Sequence, residues 1–196
     1  MTGRMLIAGV GNIFLGDDGF GVEVASRLAT ADLPDWVRVA DYGISGMHLA
    51  YDLAEGYEST ILVDATPRGG EPGTVYVMEL DTGVPSAAAA PAAPPAPGAP
   101  ATPAPATPAS GPGAPVAASG VPLLDAHGMQ PDVVLGMLNL LGAEPGRVFL
   151  VGCEPASTDE GIGLSEPVSA AVDEAVRIVL DLVRTADTIS QMARKG

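Results

Sequence analysis

Two adjacent aspartates, Asp17 and Asp18, stand in the glycine-bearing run LIAGVGNIFLGDDGFGVEVASRL, residues 6–28. Glycines after a first strand usually announce a phosphate pocket. A dinucleotide fingerprint needs a third glycine, or alanine, three residues after Gly11. Phe14 stands there instead, so close helix–strand packing is not expected behind this turn. Two carboxylates at the following helix start would also repel a pyrophosphate. A helix cap accounts for one aspartate, since carboxylates at a helix N-terminus gain from capping and the macrodipole. It does not account for two, because neighbouring like charges disfavour each other. One of them is expected to face a cation.

Further donors follow. Asp64 closes the apolar run of STILVDA, and His127 stands in LLDAHGM just before a helix-like pattern. Both positions are read as lying at the carboxyl edge of a sheet, where open α/β folds bind ligands. Two carboxylates and one imidazole from separate loops suit a borderline metal with open coordination positions. His127 taken alone is more often a surface or capping histidine; its place directly after the Ala/Pro-rich segment, returning to the same sheet edge, shifts that balance. His48 reads as structural or partly exposed. Cys153 ends a core strand and reads as a small apolar residue; a Cys153–His127 nucleophile pair has no oxyanion motif beside it. Glu154 is either a supporting carboxylate at the same edge or a solvated loop residue. Ser45 and Ser157 lack a nucleophile-elbow context.

The elements that must position these residues alternate between strand and helix. Strands are expected at Met5–Val10, 37–40, Ser59–Ala65, 73–80 and 147–152. Helices are expected at 18–29, 46–55 and 130–141, and a long one begins after a Ser165 cap, with Val168, Val172, Ala175, Val176, Val179 and Leu182 at 3.6-residue spacing. Alternating β and α signals predict a three-layer α/β/α domain around a mostly parallel twisted sheet. Residues 85–120 break the pattern: they are almost entirely Ala, Pro, Gly, Ser and Thr. Such a composition cannot offset its ordering entropy. The segment is read as a disordered insertion within a single domain spanning 1–196, because long loops cost only logarithmically more entropy.

The formal net charge is −15, with only 9 Lys and Arg. That argues against nucleic acid, whose binding energy comes largely from cations meeting phosphates, and against anionic membranes. One cysteine permits no internal disulfide. With no signal-like start and no apolar run near the ~20 residues that span a bilayer, a cytoplasmic protein, expected as a monomer, is the reading.

At these residues the sequence resembles the hydrogenase maturation endopeptidases that process nickel-iron hydrogenases. The matching pieces are GVGNIFLGDDGFG, ILVDA, DYGISGMHL, DAHGMQPDVV and VGCEP. The resemblance implies removal of a C-terminal extension from the hydrogenase large-subunit precursor after nickel insertion, with the substrate's own nickel as the recognition element and no permanent cofactor. It places the metal-contacting and catalytic set on Asp18, Asp64 and His127, with Asp17 as companion acid. Asp18 is one methylene shorter than the Glu common at that position. The alternatives are a nickel-binding chaperone without enzymatic activity, or a related metallopeptidase with its own metal.

Overall fold

The computed structural model describes residues 3–80 and 146–193. The expected insertion 85–120, the expected helix 130–141 and His127 lie outside the described residues. The chain divides into two compact units, Met1–Gly83 with Ala126–Gly196, and Val84–Asp125; the second lies wholly outside the described residues.

Five strands form one sheet in the order β2-β1-β3-β5-β4. They are β1 (Met5–Val10), β2 (Val37–Gly43), β3 (Ser59–Ala65), β4 (Val75–Leu80) and β5 (Arg147–Cys153). β1 pairs in parallel with β2 and β3, and β3 pairs in parallel with β5. β4 is an antiparallel edge strand, with Val75 opposite Cys153 and Leu80 opposite Val148. All six residues of β1 are buried, which is why this strand reads as a continuous apolar run. A parallel strand covered on both faces has no solvent side to alternate with.

The pleat divides the apolar residues between two cores. Met5, Ile7, Ile61, Val63 and Val151 face α1 (Phe20–Leu28) and α3 (Glu166–Ala193). Leu6, Ala8, Val10, Leu62 and Leu150 face α2 (Gly46–Ala54). Helices thus cover both faces, as the alternation predicted. On α3 the buried line runs through Val168, Val172, Ala175, Val179 and Val183. Val176 and Leu182 are only partly buried, because 3.6-residue periodicity rotates them to the flank of that stripe.

The expectation of loose packing behind the first turn is overturned. A Cβ on Gly21 would stand 2.1 Å from the Val63 carbonyl oxygen and 2.3 Å from that of Val10, and one on Gly9 would meet the Gly21 carbonyl oxygen at 2.3 Å. α1 therefore lies directly against β1 and β3. The small residue that allows it is Gly21, about two helical turns later than a dinucleotide fold would place it. The chain runs from β1 to β2 on one side and back past β1 to β3 on the other. The carboxyl ends of β1 and β3 thus flank the point where strand order reverses, the usual ligand crevice of such sheets.

One buried polar atom has no partner among the described residues, the Thr60 hydroxyl in β3. Valine has the same shape without the hydroxyl. Thr60→Val should raise unfolding free energy by about 1 kcal/mol, read as a higher urea midpoint at unchanged slope.

Candidate active site

Asp18 lies in a single 3-10 turn, Gly16–Gly19, between β1 and α1, not in the helix proper. Gly11 makes this turn possible. Its φ is +130°, and a side chain there would overlap the Asp18 carbonyl oxygen. The Asn12 N–H donates to the Asp18 carboxylate at 2.7 Å. Asp18 is therefore fixed by the chain that leaves β1, at a partly exposed position.

Asp64 is the penultimate residue of β3 and is 7 % exposed. The Thr66 hydroxyl donates to it at 3.3 Å. Burial first, and then the negative charge of Asp18, push the Asp64 carboxyl up to about 7; the Thr66 hydroxyl and the Ala65 backbone N–H pull the other way. The carboxylates of the turn after β1 and of the end of β3 thus share one field. That arrangement disfavours two charges and favours either a proton or a cation between them.

The cost appears as pH-dependent stability. Below pH about 4 Asp64 is protonated in both folded and unfolded chains, and the effect vanishes. Between that value and about 7 the unfolded chain ionises while the folded one keeps its proton, so stability falls as pH rises. Above about 7 the full penalty holds. Asp64→Asn removes it. The variant should gain about 2–4 kcal/mol at pH 8 and almost nothing at pH 4, as measured by denaturant titration at both pH values.

Asp17 points elsewhere. It is 1 % exposed, and among the described residues its partners are backbone and hydroxyl donors. Its carboxylate accepts from the N–H groups of Ala156 at 2.8 Å, Ser157 at 3.2 Å and Ser165 at 2.6 Å, and from the Ser165 hydroxyl at 2.9 Å. Burial raises its pKa, but these four donors outweigh it and hold Asp17 below the usual carboxylate range. The Ser165 hydroxyl is thereby spent on Asp17. Backbone bonds seal the same junction: Gly16 N–H to Gly161 C=O at 2.9 Å and Asp17 N–H to Ser157 C=O at 3.1 Å. Asp17 ties the β1–α1 loop to the β5–α3 loop. Successive residues in a 3-10 turn are rotated by roughly 120°, so the two adjacent aspartates face different partners.

Glu154, expected either as a supporting acid or as a solvated one, is 6 % exposed. It accepts from the N–H groups of Arg68 at 2.7 Å and Gly69 at 3.0 Å. The Arg68 N–H is the main cause of its lowered pKa. Its role is to clamp the loop that follows Asp64.

Cys153 is fully buried. Burial, reinforced by the charges of Asp17, Glu154 and Glu174, pushes its thiol up to about 12. A thiolate nucleophile is therefore disfavoured by several orders of magnitude at neutral pH. Cys153→Ala should cost about 1–2 kcal/mol of stability and leave peptide cleavage within about twofold; complete loss in a folded variant would contradict this. His48 is exposed on α2, its Nδ1 2.9 Å from the Ser45 hydroxyl. The Ser157 hydroxyl donates to Asp159 at 2.8 Å. His127 lies outside the described residues, so the structure brings together only Asp18 and Asp64 of the expected set. Among the described residues no three His, Cys, Asp or Glu side chains form a metal-holding group. Among them, too, no helix is long and apolar enough to cross a membrane.

A family model described as "Hydrogenase maturation protease" matches residues 22–90 and 116–182. The chain is 32% identical over 184 residues to a Methanocaldococcus jannaschii protein provisionally named a hydrogenase maturation protease, covering 92% of this chain and 96% of the relative. It is 30% identical to the hydrogenase 2 maturation protease of Escherichia coli K12, covering 92% and 91% of the two chains. The solved structure of the hydrogenase maturating endopeptidase HybD from E. coli superposes with a TM-score of 0.64 at 27% identity, covering 93% of each chain. The chain thus belongs to the hydrogenase maturation protease family, whose members are peptidases.

Proposed function

We propose that this protein is the endopeptidase that removes the C-terminal extension of a nickel-iron hydrogenase large-subunit precursor, and that it acts once nickel is in place. The observation that carries the reading is the pairing of Asp18, in the turn after β1, with Asp64, at the end of β3, where Asp64 is buried and its carboxyl is raised in part by the charge of Asp18. A site that disfavours two negative charges gains most when a cation arrives. Nickel enters here as part of the substrate. The carboxylates supply hard anionic oxygens, and the imidazole of His127 supplies a borderline nitrogen.

Topology leaves room for His127. Leu80 and Gly146 bound the intervening chain at the edge opposite Asp64, since Leu80 pairs with Val148 while Asp64 pairs with Gly152. At ~3.3 Å per extended residue, the chain between them is long enough to bring His127 to the two carboxylates. An ion held jointly by precursor and protease would fix the scissile peptide beside Asp18 and Asp64. The nickel would polarise the peptide carbonyl or a water, or one carboxylate would take the proton from the attacking water.

The reading is tested by incubating the purified protein with nickel-loaded large-subunit precursor and measuring intact masses. The expected products are a mature subunit shortened only at its C-terminus and one released peptide. Internal or N-terminal fragments, or binding without any cleavage, would overturn it.

A further inference from the structure

Among the described residues eight large apolar side chains are exposed; four of them, Ile13, Phe14, Ile44 and Ile162, lie on loops that follow the carboxyl ends of the parallel strands, and a fifth, Met47, lies in the first turn of α2. Singly scattered apolar residues need no explanation, but a concentration on one edge marks an interaction site. Here it borders the carboxylate pair.

The loops carrying Phe14 and Ile162 are joined backbone to backbone at one point. Leu15 and Gly161 form a parallel bridge. The Gly161 N–H donates to the Phe14 carbonyl, and the Gly16 N–H to the Gly161 carbonyl, both at 2.9 Å. Phe14 on one loop, and Glu160 and Ile162 on the other, immediately flank this bridge and are exposed, while Leu15 within it is partly buried. Phe14 is 62 % and Ile162 82 % exposed. This face cannot drift, because Asp17 ties the same two loops together. Phe14 is separated from Asp18 by only three residues.

We propose that the face formed by Phe14, Ile162 and Glu160 is the docking surface for the protein substrate. It takes an extended segment flanking the scissile bond. A bulky aliphatic or aromatic side chain packs between Phe14 and Ile162, and a lysine or arginine lies against Glu160 and the exposed Asp159. This rests on the endopeptidase reading above. The occupant follows from continuity with the carboxylate pair and from charge: a chain of net charge −15 attracts a cationic partner segment and repels an acidic one. The face thereby sets which precursor is accepted, apart from the chemistry of the cut.

The test compares wild type with Phe14→Ser/Ile162→Ser, using full-length nickel-loaded precursor. Binding is measured in an Asp18→Asn background, so that cleavage does not interfere, and turnover in the native background. The double variant should melt with wild type, bind about tenfold or more weakly, and show the same rise in KM with kcat within about twofold. Phe14→Leu/Ile162→Val should restore affinity. Glu160→Gln should weaken binding by about two- to fivefold and flatten its dependence on salt. Should the double variant not fold, Ile162→Ser alone carries the comparison. Unchanged affinity alongside normal cleavage would overturn the docking face and leave the endopeptidase reading intact. A fall in kcat without a rise in KM would overturn it by showing that these residues shape the catalytic turn. A wild-type protein that neither binds nor cuts the precursor would overturn both.

Discussion

Asp17→Ala is expected to lose about 4 kcal/mol of unfolding free energy, while Asp18→Asn, one residue later, leaves the fold near wild type. The contrast follows from the partners. Removing the Asp17 carboxylate, itself 1 % exposed, leaves the N–H groups of Ala156, Ser157 and Ser165 without their acceptor at a partly buried junction. Each buried unsatisfied donor costs about 1–3 kcal/mol, less whatever water recovers. For a chain of this size the loss corresponds to a melting point lower by roughly 8–16 °C. The sign of the pH dependence is opposite to that at Asp64. Because the Asp17 pKa is lowered in the folded chain, its contribution is complete above about pH 4 and disappears as pH falls further. Calorimetry of the two variants at pH 7 and pH 3 reads both effects. Equal melting points for Asp17→Ala and wild type at pH 7 would contradict the assignment of Asp17 as the tie between the two loops.

The second large effect is on cleavage. Asp18→Asn, Asp64→Asn and His127→Ala should each reduce precursor processing by about two to three orders of magnitude. Double variants should be scarcely worse, since groups acting on one ion as a unit are non-additive. Asp18→Asn retains the shape and an acceptor for the Asn12 N–H, so it isolates charge from structure. Asp64→Asn is the more informative variant, because its two predicted effects diverge: greater stability at pH 8 together with lost activity. Simple damage to the fold would move both in the same direction. Initial rates on nickel-loaded precursor, paired with denaturation curves for the same preparations, separate the cases. Independent, multiplicative losses in the double variants would mean that the residues do not act on a common ion.

Sequence patterns carried most of the fold. The continuous apolar runs of β1 and β3 implied strands covered on both faces, and the spacing on α3 implied one long helix against the sheet. The extent of β2 to Gly43 was harder to read, because Asp41 and Gly43 resemble turn residues. There the strand continues through parallel pairing with β1, a tertiary effect that local propensity does not contain. Helix packing on the first turn was misjudged for a related reason. A dinucleotide spacing was sought near Gly11, while the close approach is made at Gly9 and Gly21. In the site, Asp64 was legible because a carboxylate closing an apolar strand has little other reason to be there. The separate tasks of Asp17 and Asp18 were not, since composition carries no information on which way a turn points two adjacent side chains. Glu154 was ambiguous until its backbone donors were visible. The apolar face of Phe14 and Ile162 could not be read at all, because it arises from pairing between loops about 145 residues apart.

The most direct measurement of the central claim is the intact mass of one large-subunit precursor, prepared with and without nickel and incubated with wild type or with Asp64→Asn. If the carboxylate pair meets nickel carried by the substrate, wild type shortens only the nickel-loaded precursor, and Asp64→Asn shortens neither. Equal processing of the nickel-free precursor by wild type, or normal processing of the loaded one by Asp64→Asn, would contradict it.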